Sequence, residues 1–217
     1  MSQMNVAVLG TGVVGEVLAN GFLKHGYEVM RASRDPQKLS EWKARSGPKA
    51  SVGTFQDAAK FGNLIVLAVK GTAAESALSL CGVENLKGKT VIDATNPIAD
   101  VPPVNGVLNY FTDQNHSLME RLQKLAPTAN FVKAFSCVGN AFMVNPHFAG
   151  GKPTMFICGN DAKSKKIVSE ILTQFGWEAE DMGMVESARA IEPLCMLWCI
   201  PGIARNQWNH AFKLLKA

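Results

Sequence analysis

The chain has 217 residues, 47% of them hydrophobic and 18% charged, which suits one folded domain with a sizeable core and excludes a disordered or low-complexity chain. The net charge of +4 is mild and dispersed. No Lys/Arg stretch is dense enough for a nucleic-acid groove, no apolar run reaches a membrane span, and the start has no signal-peptide pattern.

The first predicted strand, Met4–Leu9, runs straight into Gly10, Gly12 and Gly15. Gly10 permits a sharp turn, Gly12 lets a pyrophosphate approach the backbone, and Gly15 lets the next helix pack closely on the strand. That helix, Val13–Lys24, aims its free N–H groups and positive dipole end at the phosphates. Thr11, Val13 and Val14 complete the phosphate loop. His25 and Gly26 end the helix, and Tyr27–Ala32 is the second strand.

About twenty residues after the glycines, Ser33 and Arg34 stand where an NAD site places a carboxylate for the ribose 2′-hydroxyl. Arg34 offers a planar fork, Ser33 a hydroxyl, and Lys38 a point charge one turn into a helix over 36–45 opened by Pro36. The cluster suits the 2′-phosphate of NADP. The bland alternative makes Arg34 a solvated loop residue and Lys38 an ordinary surface lysine, and Asp35 is the one dissenting charge.

A short strand at 50–52 and a helix at 56–60 follow, then the doubly apolar strand 63–69. Ala68 and Val69 close that strand. A helix over 72–81 and a strand over 90–94 lead to Thr95, Asn96 and Pro97. Ligands of parallel sheets bind outside strand carboxyl ends, where Ala68, Val69 and Asn96 would meet ribose and nicotinamide; Asn96–Pro97 is otherwise plain turn chemistry. The Pro/Asn/Asp-rich stretch 96–115 is the one long irregular loop and a candidate functional segment. A helix over 116–125 and a strand over 130–135 lead to Ser136 and Asn140. These could bond to a ring edge or sit in an ordinary strand–helix connection.

Strands over 153–159 and 177–181 flank a helix over 163–175, and the last helix begins at Val185. Pro201-Gly202 is expected to break it and Ala204–Leu215 to resume it. Its apolar side, with Met196 and Trp198, suits packing within the core and a homodimer, or contact with a ring. The alternation predicts an α/β, Rossmann-type doubly wound fold: a mostly parallel sheet of about eight strands with a C-terminal helix. One domain spans 1–217, with 130–217 forming the acceptor-side and dimerisation portion. Five scattered cysteines without a CxxC pair, and no histidine at ligand spacing, predict no metal site and reduced thiols in a cytoplasmic protein.

Gly10–Gly15, Ser33-Arg34 and Lys38 resemble the NADP site of the coenzyme F-420-dependent NADP oxidoreductases. The likeness continues through 95–98, 132–136, 155–161, 181–183 and 187–198, nearly the whole chain. The sequence is also similar to the NADPH-binding domain of the six-transmembrane ferric reductases. The resemblance implies hydride transfer between NADP(H) and a flavin or deazaflavin (F-420-like) ring, with Ala134 and Ser136 where the rings meet. No residue is certain to be catalytic; Ser136 and Asn140 are the acceptor-pocket candidates. A non-catalytic NADP sensor and a short imine reductase or hydroxyacid dehydrogenase relative are the alternatives.

Overall fold

The computed structural model describes residues 4–217. Its main sheet comprises β1 (Asn5–Leu9), β2 (Glu28–Ala32), β3 (Ala50–Gly53), β4 (Leu64–Leu67), β5 (Thr90–Asp93) and β6 (Asn130–Lys133). All are parallel, in the order β3-β2-β1-β4-β5-β6. This is the doubly wound Rossmann arrangement, with its strand order reversing between β1 and β4. The remaining two strands, β7 (Thr154–Ile157) and β8 (Glu178–Asp181), form a separate parallel pair. A single antiparallel bridge, Lys133 to Cys158, joins that pair to the edge of the main sheet.

Seven helices cover the sheets: α1 (Val13–Lys24), α2 (Ser40–Arg45), α3 (Phe55–Phe61), α4 (Ala74–Cys81), α5 (Leu118–Leu125), α6 (Ala162–Gln174) and α7 (Ala188–Arg205). The two-residue period of the strands divides the core. Val6, Val8, Leu64 and Val66 face Leu18, Phe22, Trp42, Ile171 and Phe175 on one side. Ala7, Leu9, Ile65 and Leu67 face Ala58, Leu78, Leu122 and Ile191 on the other. Apolar residues on both faces are what a sheet sandwiched between helices requires.

A capping box opens α5: Ser117 Oγ accepts from the Glu120 N–H, and the Glu120 carboxylate accepts from Ser117 N–H and Oγ–H. Arg189, at the start of α7, donates to the same carboxylate. Chiefly through Arg189, and then through Ser117, Glu120 is pulled from the usual glutamate range down to about 2. A depressed carboxylate pKa stabilises the fold above the unfolded value and loses that contribution as pH falls through the folded one. The melting temperature of the wild type is therefore expected to fall between about pH 4.5 and pH 2. The Glu120→Gln variant should be less stable at pH 7 and show a shallower acid slope.

The C-terminus departs from expectation. α7 runs unbroken through Pro193 and Pro201 and stops at Asn206, whose φ of 54° and ψ of 33° are left-handed. Residues 207–217 form no helix. Trp208 instead folds back over Gly202, where a Cβ would lie 2.2 Å from the indole. Trp198 and His210 stack and exchange reciprocal bonds to each other's carbonyls at 2.9 Å. Phe212 O then accepts from Thr154 N–H at 2.9 Å. The tail thus gives the edge of β7 a backbone partner and buries aromatic surface, which a second helix would forgo.

The stretch 96–115 is also more ordered than its composition suggests. Ile98 bridges Tyr110, Val104 bridges Val107, and Tyr110 Oη–H donates to Glu192 O at 2.8 Å, pinning this arm to α7.

Candidate functional site

At the carboxyl ends of β1, β2 and β4 lies a cleft of about 730 Å3. Gly10, Thr11, Gly12, Ser33, Arg34, Lys38, Ala68, Val69 and Lys70 line it. The glycine loop is shaped by contacts no side chain would allow. Gly10 has φ of 136°, and a Cβ there would lie 2.3 Å from Ala68 O. Gly15 sits under Gly10 O, which would be 2.9 Å from a Cβ. Gly12 is different: a Cβ on it would meet nothing within 4 Å. Its bareness serves open space over the N-terminus of α1, whose cap supplies no side-chain acceptor to the first-turn N–H groups. Val13 is exposed at the mouth, whereas Val14 packs partly into the core.

The second strand end supplies charge. Arg34 and Lys38 are exposed and form no ion pair among the described residues. Ser33 is buried; its Oγ accepts from Asp35 N–H and keeps its own proton to donate. Asp35 also lines the cleft, and its carboxylate caps the Pro36–Leu39 3-10 turn by accepting from Gln37 N–H.

A smaller hollow of about 290 Å3 continues the cleft across β5, lined by Val69, Lys70, Gly71, Ala94, Thr95, Asn96, Ile98 and Asp100. Its rim is closed by Lys70 and Thr72, both bonded to Asp100. Asn96 Nδ2 donates to Ser136 O at 2.8 Å, so the ends of β5 and β6 meet here. Asn96 Oδ1 and Ser136 Oγ are both buried without a protein partner. Asn140 begins a 3-10 turn at the far end of the same loop. Pro97 and Ala134 are buried, Ala134 completely, so either could act only through backbone and shape. Phe135 takes φ of 63° between Ala134 and Ser136 and turns the chain sharply off the strand. Cys137 lies beside Ser136, but burial pushes its thiol up to about 12, leaving it protonated at neutral pH.

Three buried charges, Lys133, Asp93 and Arg31, are not singled out by the sequence. Lys133 is fully buried and donates to Asp93 Oδ2 at 2.8 Å, Glu192 Oε1 at 2.9 Å and Thr95 O at 2.8 Å. Asp93 also accepts from Thr95, and Glu192 from the N–H groups of Leu118 and Met119 at the start of α5. This network ties the two strand ends beneath Asn96 and Ser136 to α5 and α7. Arg31 is the third, buried below the glycine loop. Each is a charge inside an apolar strand, and that was the available signal.

These features fit a phosphorylated dinucleotide. The bare Gly12 leaves room for a pyrophosphate, unpaired cations flank a hydroxyl at the β2 end, and a buried amide oxygen and a buried hydroxyl lie without protein partners where the ends of β5 and β6 meet. The sequence profile of the family described as "NADP oxidoreductase coenzyme F420-dependent" matches residues 5–97. A crystal structure from Arthrobacter sp. FB24, described provisionally as an F420-dependent NADP-reductase, superposes with a TM-score of 0.92 at 32% identity. It covers 98% of this chain and 100% of its own. The chain belongs to the coenzyme F420-dependent NADP oxidoreductase family.

As a member it is an NADP-dependent oxidoreductase. The rat metalloreductase STEAP3 is 30% identical over 202 residues, 90% of this chain but 38% of the relative. The chain therefore spans less than two-fifths of the curated relatives it matches. A reductive aminase from Aspergillus terreus, crystallised with NADPH and ethyl-5-oxohexanoate, aligns with a TM-score of 0.66 at 18% identity, a likeness of fold alone. Among the described residues no helix is long and apolar enough to cross a membrane.

Proposed function

We propose that this oxidoreductase moves hydride between NADPH and a flat ring acceptor, a flavin or a deazaflavin such as F-420. The observation that carries this reading is the chemistry of the smaller hollow. Its lining is Val69, Gly71, Ala94, Thr95, Asn96 and Ile98, with its only charges, Lys70 and Asp100, paired at the rim. Reducing a carbonyl or imine calls for a positioned proton donor. A ring-to-ring hydride transfer asks for orientation and a dry surface, since the bound cofactor itself supplies the hydride.

The roles divide by position. Thr11, Gly12, Val13 and Val14 present backbone N–H groups to the phosphates, and Gly10 and Gly15 shape that loop. Ser33, Arg34 and Lys38 hold the 2′-phosphate. Ala68, Val69, Asn96 and Pro97 line the path from ribose to nicotinamide, and Asn96 Oδ1 and Ser136 Oγ meet the ring's polar substituent. Ala134 and Asn140 border the face left for the acceptor. A flavin acceptor would also suit the activity named for the curated metalloreductases, because a flavin takes hydride and can release electrons singly.

The experiment is to mix the protein with NADPH and, in turn, F-420, FMN and FAD, following loss of the near-ultraviolet band of NADPH. Turnover with one of them is expected; no turnover with any would refute the acceptor reading. Arg34→Ala should weaken NADPH by about 1.5–3 kcal/mol, roughly ten- to a hundredfold, while changing NADH little. Equal losses in calorimetric titration would place Arg34 away from the 2′-phosphate.

The homodimer is part of the same proposal. Between Pro193 and Ala204, α7 carries no charged residue, and Leu197 and Ile203 are exposed, as are Val101, Val104 and Val107 on the pinned arm. Sedimentation is expected to give twice the chain mass. Five unpaired cysteines are in keeping with a reducing, cytoplasmic setting.

A further inference from the structure

The glycine loop rests on a buried cation. Arg31, in β2, is 1% exposed. Its Nη2 donates to Gly10 O and to Gly12 O, both at 3.4 Å, and its Nη1 to Glu16 Oε2 at 3.3 Å. The guanidinium carbon lies 5.0 Å from the centre of the Trp42 ring. Glu16, in the first turn of α1, is shared with Arg45 of α2. One carboxylate between two guanidinium groups leaves the cluster with a net charge of +1.

We infer that Arg31 is a positioning residue for the dinucleotide's pyrophosphate, holding the Gly10 and Gly12 carbonyls so that the following N–H groups face the anion. The inference rests on the reading of this cleft as a dinucleotide site. Its geometry comes from the peptide bond. The units 10–11 and 12–13 are trans, and a planar trans peptide points its N–H opposite to its C=O. Fixing both carbonyls on the guanidinium side sends the N–H groups of Thr11 and Val13 the other way, where Thr11 and Gly12 line the cleft. The Gly12 carbonyl also accepts from Glu16 N–H, so the same atom starts α1 and is held by Arg31.

A purely structural role explains the residue poorly. Arg31 Nε is buried without a partner, and burial lowers the guanidinium pKa. An apolar residue at this strand position would avoid that desolvation. Arg31 also stands two residues before Ser33, which directly follows the end of β2. β2 thus carries the brace for the pyrophosphate loop and leads directly into the clamp for the 2′-phosphate.

The two roles separate by ligand. The test titrates NADPH, NADH, ADP-ribose and adenosine 2′-monophosphate into the full chain as wild type, Arg31→Met, Arg31→Lys and Arg34→Ala. Arg31→Met should raise the Kd of NADPH, NADH and ADP-ribose by a common factor of at least about tenfold, and leave adenosine 2′-monophosphate unchanged. Arg31→Lys keeps the charge but cannot span both carbonyls, so it should show the same pattern with a smaller factor. If the Met variant fails to fold, the Lys variant decides. Unchanged NADPH and NADH affinity, or an equal loss for the pyrophosphate-free ligand, would overturn the inference. Failure of the wild type to bind either dinucleotide would instead refute the cleft reading itself.

Discussion

Replacing Lys133 with Met is expected to lower the unfolding free energy by about 3–5 kcal/mol, because it leaves Asp93 and Glu192 as buried carboxylates without their cation. The two lie on either side of the ammonium with side chains 0% and 2% exposed, so solvent cannot take its place. In the wild type the carboxylates hold the Lys133 pKa above the ordinary lysine range, although burial by itself would lower it. A raised lysine pKa stabilises the fold fully below the unfolded value and loses that contribution only as pH rises through the folded one. The wild type should therefore keep this contribution at neutral pH and lose it in strong alkali. Urea denaturation across pH reads both; a variant of unchanged midpoint would mean that the network contributes nothing.

The second large effect is expected at Gly10. Alanine there must adopt φ of 136° and bring its Cβ to 2.3 Å from Ala68 O, so the loop has to move off the end of β4. Strain and overpacking together should cost of order 3 kcal/mol, which appears as a lower melting temperature and as roughly a hundredfold weaker NADPH binding. Gly12→Ala is the informative contrast. Beyond its chain neighbours nothing lies within 4 Å of a Cβ there, so the fold should keep its melting temperature while NADPH affinity falls. If both variants bound NADPH as the wild type does, the pyrophosphate would not lie over this loop.

Most of this site could be read from local chemistry. Gly10, Gly12, Gly15, Ser33, Arg34 and Lys38 lie within one strand–helix–strand unit and the turn that follows it, and there sequence spacing maps onto space. Seven of the strands follow from short runs bounded by turns, whereas β8, Glu-Ala-Glu-Asp, has no apolar run and follows only from its place after the helix. The division of the strands into a sheet of six and a pair was not legible, because one bridge between Lys133 and Cys158 decides it. The ion network was hidden for the same reason: Asp93, Lys133 and Glu192 meet only through tertiary packing. The final stretch was misread as helix because helical periodicity and propensity carry no knowledge of the free edge of β7 or of the Trp198 and Gly202 surface. The strand-end residues of the smaller hollow stand between these cases. Asn96 could be placed by the rule for strand carboxyl ends, whereas its bond to Ser136 needed the fold.

Hydride transfer from NADPH to a ring acceptor is tested most directly with NADPH deuterated at the nicotinamide C4 and oxidised F-420 in a single turnover. Deuterium is expected to move to the acceptor ring carbon while NADPH is oxidised, and Arg34→Ala to slow this at limiting NADPH far more than at limiting NADH. Labelled NADPH left unreacted with F-420, and equally with FMN and FAD, would contradict it.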